Sequence, residues 1–213
     1  MTTPAPVSAK SASLPAGSLV LASGSPRRLE LLAQINVVPA KVVPADIDES
    51  PNTSELPKAY AERMAREKAA VVTALYPDQL ILAADTVVAC GNRILPKAEC
   101  EASARKCLNM LSGRRHRVIS GLSLVLPGGR QLVKSVSTTV AFKRLSEAET
   151  NHYIASGEWN GKAGGYGIQG LAAQYIRFIS GSYSCVVGLP LFEVGGWLNT
   201  HLKDQAMKAD SND

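Results

Sequence analysis

A mixed α/β fold follows from three features of the sequence. Strand-like and helix-like patterns alternate along most of the chain. The apolar run LILAADTVVAC at 80–90 has the length and evenness of a buried central strand. A Pro127-Gly128-Gly129-Arg130 turn joins two strand-like segments in mid-chain. That hairpin argues against a purely parallel doubly wound sheet. The expected architecture is a mixed central sheet flanked by helices.

The elements follow in order. SLVLA at 18–22 reads as a short strand and LELLAQI at 29–35 as a helix. Residues 41–44 read as extended. The longest helix is expected at 54–76, with Ser54 as cap and Pro57 in its first turn. A helix at 99–111 closes at Gly113. Strands are expected at 118–126 and 131–142. Ser146-x-x-Glu149 is a capping box ahead of a short helix that ends at Gly157. A glycine-rich loop fills 157–170, strands are expected at 175–179 and 184–187, and a helix weakened by Gly195-Gly196 at 191–202. The small and polar stretches 1–17 and 204–213 are expected to be disordered tails, leaving one domain at 18–203.

Composition excludes several classes. The 213 residues can bury a core without covalent staples. Hydrophobic residues at 46% and charged residues at 19% are ordinary for a globular chain. The four cysteines form no CxxC pair, which excludes a zinc ribbon or a thioredoxin-like motif. The three histidines include no HExxH, and none lies in a nucleophile motif. No apolar run reaches the ~18 residues of a membrane span. The start lacks an apolar signal core, so the cytoplasm is the expected compartment. A net charge of +5 favours anionic partners, but aromatics at 5% offer little stacking surface for a nucleic-acid groove.

Several motifs carry chemistry. In Leu21-Ala22-Ser23-Gly24-Ser25-Pro26-Arg27-Arg28 a strand runs through small residues into a helix. Ser25 at the cap and Pro26 at the first helical position leave backbone N–H groups and the positive end of the dipole facing the turn. Ser23, Ser25, Arg27 and Arg28 add donors suited to phosphate oxygens. An ordinary capped helix with two solvated arginines is the plain alternative, and the combination favours phosphate.

Asp85 lies inside an apolar run, with Thr86 next to it. A buried carboxylate there must sit at a strand end, pair with a cation, bind metal or act as a base. Lys68 shares the apolar face of the longest helix with Met64 and Val72, so it either snorkels to water or reaches into a cleft. Lys97 follows the Asp85 strand in a loop. Asp46, Asp48 and Glu49 cluster oxygens that suit Mg²⁺, against the plain reading of a solvated acidic loop.

Lys162 to Gly170 (KAGGYGIQG) contains a formal GxGxxG, but it opens no helix and so is not a dinucleotide fingerprint. Its glycines let the backbone approach a ligand, and Gln169 can read a base or a sugar. Arg114-Arg115-His116-Arg117 reads as structural, and Cys100 and Cys107 as core residues on one helix face.

These segments, LASGSPRR, MAREKA, ADTVV, LSGRRH, KAGGYGIQG and GSYSCVVGLPL in that order, resemble the Maf family of nucleotide pyrophosphatases over most of the chain. The resemblance implies a Maf/ITPase-like fold of two lobes around a nucleotide cleft, often as a homodimer. It implies hydrolysis of nucleoside triphosphates to monophosphate and pyrophosphate with a divalent metal, Mg²⁺ or Mn²⁺. The family's catalytic aspartate falls on Asp85. Its specificity positions fall on Arg27, Thr86 and Gln169, and its other cleft positions on Ser23, Arg28, Glu49, Lys68 and Lys97, with Glu49 toward the metal. Thr86 and YGIQG resemble the branch acting on dTTP and UTP. The rival reading is a non-enzymatic nucleotide or nucleic-acid binding module in septum control.

Overall fold

The computed structural model describes residues 14–209. In chain order its elements are β1 (Leu19–Ala22), α1 (Pro26–Gln34), β2 (Lys41–Val42), α2 (Pro57–Leu75), β3 (Leu80–Cys90), β4 (Arg93–Leu95), β5 (Lys97–Ala98), α3 (Glu101–Leu111), β6 (Arg115–Val125), β7 (Gln131–Phe142), α4 (Glu147–Ala155), β8 (Lys162–Ala163), a 3₁₀ turn at Leu171–Tyr175, β9 (Ile176–Ser180), α5 (Tyr183–Val187) and α6 (Leu191–Ala209).

The main sheet has the order β2-β1-β3-β6-β7-β9, with β4 also on β3. β2, β1 and β3 run parallel, and β6, β7 and β9 continue antiparallel. This is the mixed α/β sheet the sequence predicts. The smaller β5–β8 ladder joins the segment after β4 to the glycine loop.

One irregularity of this sheet creates the site. β6 pairs with β3 from Ile81 to Ala89 along one edge. Along the other edge β1 pairs only as far as Ala83, and β4 joins only at Val88. Residues 84–87 therefore face an opening in the sheet. Because side chains alternate along a strand, Asp85 points with Ile81, Ala83 and Val87 toward α2, and Thr86 points with Ala84 and Val88 to the opposite face. On that second face, apolar side chains from α1 and α6 pack beside Leu80 and Leu82, while those from α3 and α4 pack beside Val88.

Helix α2 buries Ala61, Met64, Ala65, Lys68, Ala69 and Val72, spaced three and four apart as one helical stripe requires. It lies unusually close to the sheet at Gly121, the residue directly across from Asp85. A Cβ on Gly121 would stand 2.0 Å from the Ala61 carbonyl oxygen. Only glycine allows that approach, and the approach carries Lys68 down onto Asp85.

Several elements differ from the sequence expectation for local reasons. Ser54 is not the cap of α2: it sits in a left-handed turn at φ 60°, and Leu56 precedes Pro57 at the helix start. Residues 184–187 belong to α5, not to a strand, because Ser182 Oγ accepts from Cys185 N and caps a short helix that stops at Gly188. Cys100 is the exposed N-cap of α3 while Cys107 is buried, so the two cysteines do not share a core face. β6 begins at Arg115, inside the basic run. Lys97 lies on a short strand, not in a loop.

Residues 1–13 and 210–213 of the expected tails lie outside the described residues. Residues 14–17 are tied down, with Gly17 N donating to Asp78 O at 2.9 Å and Leu14 packed near Val72. α6 is described as far as Ala209.

Candidate active site

The opening beside β3 leads into a cleft of about 670 Å³. Its lining includes Ser23, Arg27, Arg28, Glu49, Lys68, Asp85, Thr86, Lys97 and Gln169, all candidates from the sequence, whereas Asp46 and Asp48 of the acidic cluster do not line it. Five cations and three carboxylates line it, counting Lys162 and Glu158, so the cleft is formally cationic.

The deepest part is a chain of alternating charges. Lys68 Nζ stands 2.6 Å from Asp85 Oδ1 and 2.7 Å from Glu49 Oε1, and Lys97 pairs with the other oxygen of Glu49. Side-chain exposure rises from 6% at Asp85 to 49% at Lys97, so the chain runs from floor to mouth. Lys68 thus reaches into the cleft instead of snorkelling. Burial pushes the Glu49 carboxyl up, but its hydrogen bonds with Lys68 and Lys97 outweigh this and hold it below the ordinary value. The backbone under Glu49 is pinned as well: Tyr60 Oη donates to Glu49 O at 2.7 Å, and Arg63 Nη2 to Ser50 O at 3.0 Å.

Of the acidic cluster, Glu49 alone lines the cleft; Asp48 Oδ1 accepts from Ser50 N within its own loop. Among the described residues no group of three or more His, Cys, Asp or Glu side chains is placed to hold a metal ion. The expected three-residue oxygen cluster is therefore reduced to Glu49, joined by Asp85.

The opposite wall is a hydrogen-bonded brace. Arg28 donates from Nη1 to Ser23 Oγ at 2.8 Å, from Nε to Gly188 O at 2.9 Å and from Nη2 to Thr86 Oγ1 at 3.4 Å. It ties the end of β1, the middle of β3 and the turn after α5 together. Thr86 Oγ1 also lies 2.9 Å from Ser120 Oγ, its partner across the β3–β6 ladder. Burial lowers the Arg28 pKa, with Asp85 and Glu49 opposing and neighbouring Arg27 adding to the shift. The basic run after α3 stays away from the cleft: burial pushes His116 down to about 4, and its Nε2 shares a hydrogen bond of 2.7 Å with Tyr166 Oη.

A family model described as Maf-like protein matches residues 18–201. The chain belongs to the Maf family. It is 60% identical over 181 residues to a protein of Paramagnetospirillum magneticum named dTTP/UTP pyrophosphatase, covering 85% of this chain and 95% of that relative. A Caulobacter vibrioides protein of the same name is 59% identical over 176 residues, covering 83% of this chain and 91% of the relative. One from Rhodospirillum rubrum is 59% identical over 182 residues, covering 85% and 87%.

In this Maf chain four lining or bracing residues escape sequence reasoning: Ser120, Gly188, Glu158 and Lys162. Ser120 is a polar residue in an apolar strand, but only the β3–β6 register shows that it meets Thr86. Lys162 opens the glycine loop, and its basic side chain was the available signal.

Proposed function

We propose that the chain is a nucleoside triphosphate pyrophosphatase that acts in the cytoplasm on free nucleotides, dTTP and UTP foremost, to release the monophosphate and pyrophosphate. One observation carries the reading: a buried carboxylate, Asp85, is held by Lys68 at the floor of a cationic cleft whose rim carries Arg27 and the start of α1. The names of the relatives at 59–60% identity support the substrate class.

Arg27 and Lys97 meet the charge of the polyphosphate. Asp85 orients a water and takes its proton as the oxygen attacks the α-phosphorus. Lys68 fixes the position of Asp85 and Glu49, so the geometry is set before substrate arrives. Catalysis of this kind is mostly positioning and electrostatics. A simple binder gains nothing from a carboxylate facing a polyanion, which disfavours the non-enzymatic alternative. Thr86 and Gln169 both line the cleft and would discriminate among nucleosides.

Glu49 and Asp85 fit a divalent cation. Both bond the same Lys68 ammonium, so their oxygens already surround a positive charge, and Mg²⁺ is commonly held by one or two carboxylates plus substrate phosphates. When bound there it offsets phosphate charge and polarises the phosphoryl oxygens.

A panel of ribo-, deoxy- and base-modified triphosphates, assayed with Mg²⁺ or Mn²⁺ for both products, tests the assignment. Equal amounts of monophosphate and pyrophosphate are expected, fastest with dTTP and UTP. Orthophosphate release, or no pyrophosphate from any member, contradicts it.

A further inference from the structure

Lys162 lies on β8 opposite Ala98, one ladder position from Lys97, and lines the cleft. It is half-buried, and its stem runs across Gly167: a Cβ there would meet Lys162 Cε at 2.7 Å and Cδ at 2.9 Å. The glycine at 167 therefore makes the channel in which this lysine lies. Its Nζ donates to the Glu158 main-chain oxygen. The Glu158 carboxylate is turned to the loop backbone, where Oε2 accepts from Leu171 N at 2.8 Å. Among the described residues, neither Lys162 nor Arg27 forms an ion pair with a carboxylate.

By their pairing, four of the cations that line the cleft fall into two sets. Lys68 and Lys97 are matched by Asp85 and Glu49. Arg27 and Lys162 are close enough to act on each other and are not matched. Burial, then the Arg27 guanidinium, lowers the Lys162 ammonium below the ordinary lysine value, and Glu158 offsets this only in part. Two like charges in a half-desolvated wall repel, and an anion between them relieves the repulsion. A neutral base edge would not.

Taking the pyrophosphatase reading as given, we propose that Lys162, with Arg27, binds the β- and γ-phosphates and holds the departing pyrophosphate. Water forms its bond to the α-phosphorus, its proton passes to Asp85, and the bond from the α-phosphorus to the α–β bridging oxygen breaks. The electron pair of that bond leaves with the pyrophosphate. The charge appearing on the leaving group then faces Arg27 and Lys162.

The test is calorimetric binding of inorganic pyrophosphate to wild type, Lys162→Met and Lys162→Arg, with melting curves and dTTP kinetics on the same preparations. Met keeps the stem in the Gly167 channel and removes the charge. Lys162→Met is expected to weaken pyrophosphate roughly ten- to hundredfold, the range of a lost charge-assisted hydrogen bond, and to lower kcat/KM for dTTP alongside. Lys162→Arg is expected to retain most of the affinity. As pH rises through the lowered lysine value, wild type loses positive charge and affinity, whereas the arginine variant in the same buffers does not. Should the methionine variant melt, this comparison of pH profiles still decides.

Unchanged pyrophosphate affinity in a folded Lys162→Met, or identical alkaline profiles for wild type and Lys162→Arg, overturns the assignment. If wild type releases no pyrophosphate from any triphosphate, the underlying pyrophosphatase reading fails instead.

Discussion

Asp85→Asn is expected to lower turnover by about three orders of magnitude while the chain stays folded. A positioned general base contributes typically ~10²–10⁴-fold, and the amide cannot take the proton. The fold survives because Lys68 is not left alone. Its ammonium keeps Glu49 at 2.7 Å, and the asparagine oxygen can still accept from it. The substitution is isosteric, and the Asp85–Gly121 register of the β3–β6 ladder is unaffected by it. A stability loss of about 1–3 kcal/mol, that of a weakened buried hydrogen bond, is expected by denaturant titration. Near-native pyrophosphate release from the folded variant would remove Asp85 from the chemistry.

Lys68→Met is expected to show the opposite balance, with the larger loss of stability of the two. Asp85 is only 5% exposed and has Lys68 as its ion-pair partner among the described residues. Removing one member of a buried pair leaves an uncompensated charge and costs about 3–5 kcal/mol. Glu49 loses its deeper anchor too, keeping Lys97 and the Tyr60 bond to its backbone. Activity should fall at least a hundredfold, a displacement of about 1 Å being sufficient for that. The double variant Lys68→Met with Asp85→Asn should be more stable than Lys68→Met alone, since the orphaned charge is gone. A coupling energy near zero between the two positions in that cycle would show that the pair is not energetically linked.

What the sequence disclosed divides along physical lines. Local signals read directly. The 80–90 run is β3 residue for residue, and the 131–142 segment is β7. Ser146 and Glu149 form the reciprocal capping box, Glu149 N donating to Ser146 Oγ at 3.2 Å and Ser146 N to Glu149 Oε2 at 2.9 Å. An aspartate in an apolar run has to end a strand, pair with a cation, bind metal or act as a base, because burial without a partner is costly, and the structure pairs it with the cation of Lys68.

Long-range facts did not read. The opening at 84–87 depends on where β1 stops and β4 starts, which no single segment encodes. The contact of Thr86 with Ser120 depends on register, and Arg28's three-way brace depends on Gly188, 160 positions away. Helix α5 looks like a strand by composition, since Val and Tyr favour strands; a serine cap and a glycine stop override that preference. The glycine at 121 carries no local signal of its own, yet it sets how near Lys68 comes to Asp85.

The central claim is that the cleft places the α-phosphorus of a nucleoside triphosphate beside Asp85. Hydrolysis in oxygen-18 water tests it most directly. Attack at the α-phosphorus puts the labelled oxygen in the nucleoside monophosphate and leaves the released pyrophosphate unlabelled. Label recovered in the pyrophosphate would place the attack at the β-phosphorus and contradict the arrangement of Asp85, Lys68 and the cationic wall described for this cleft.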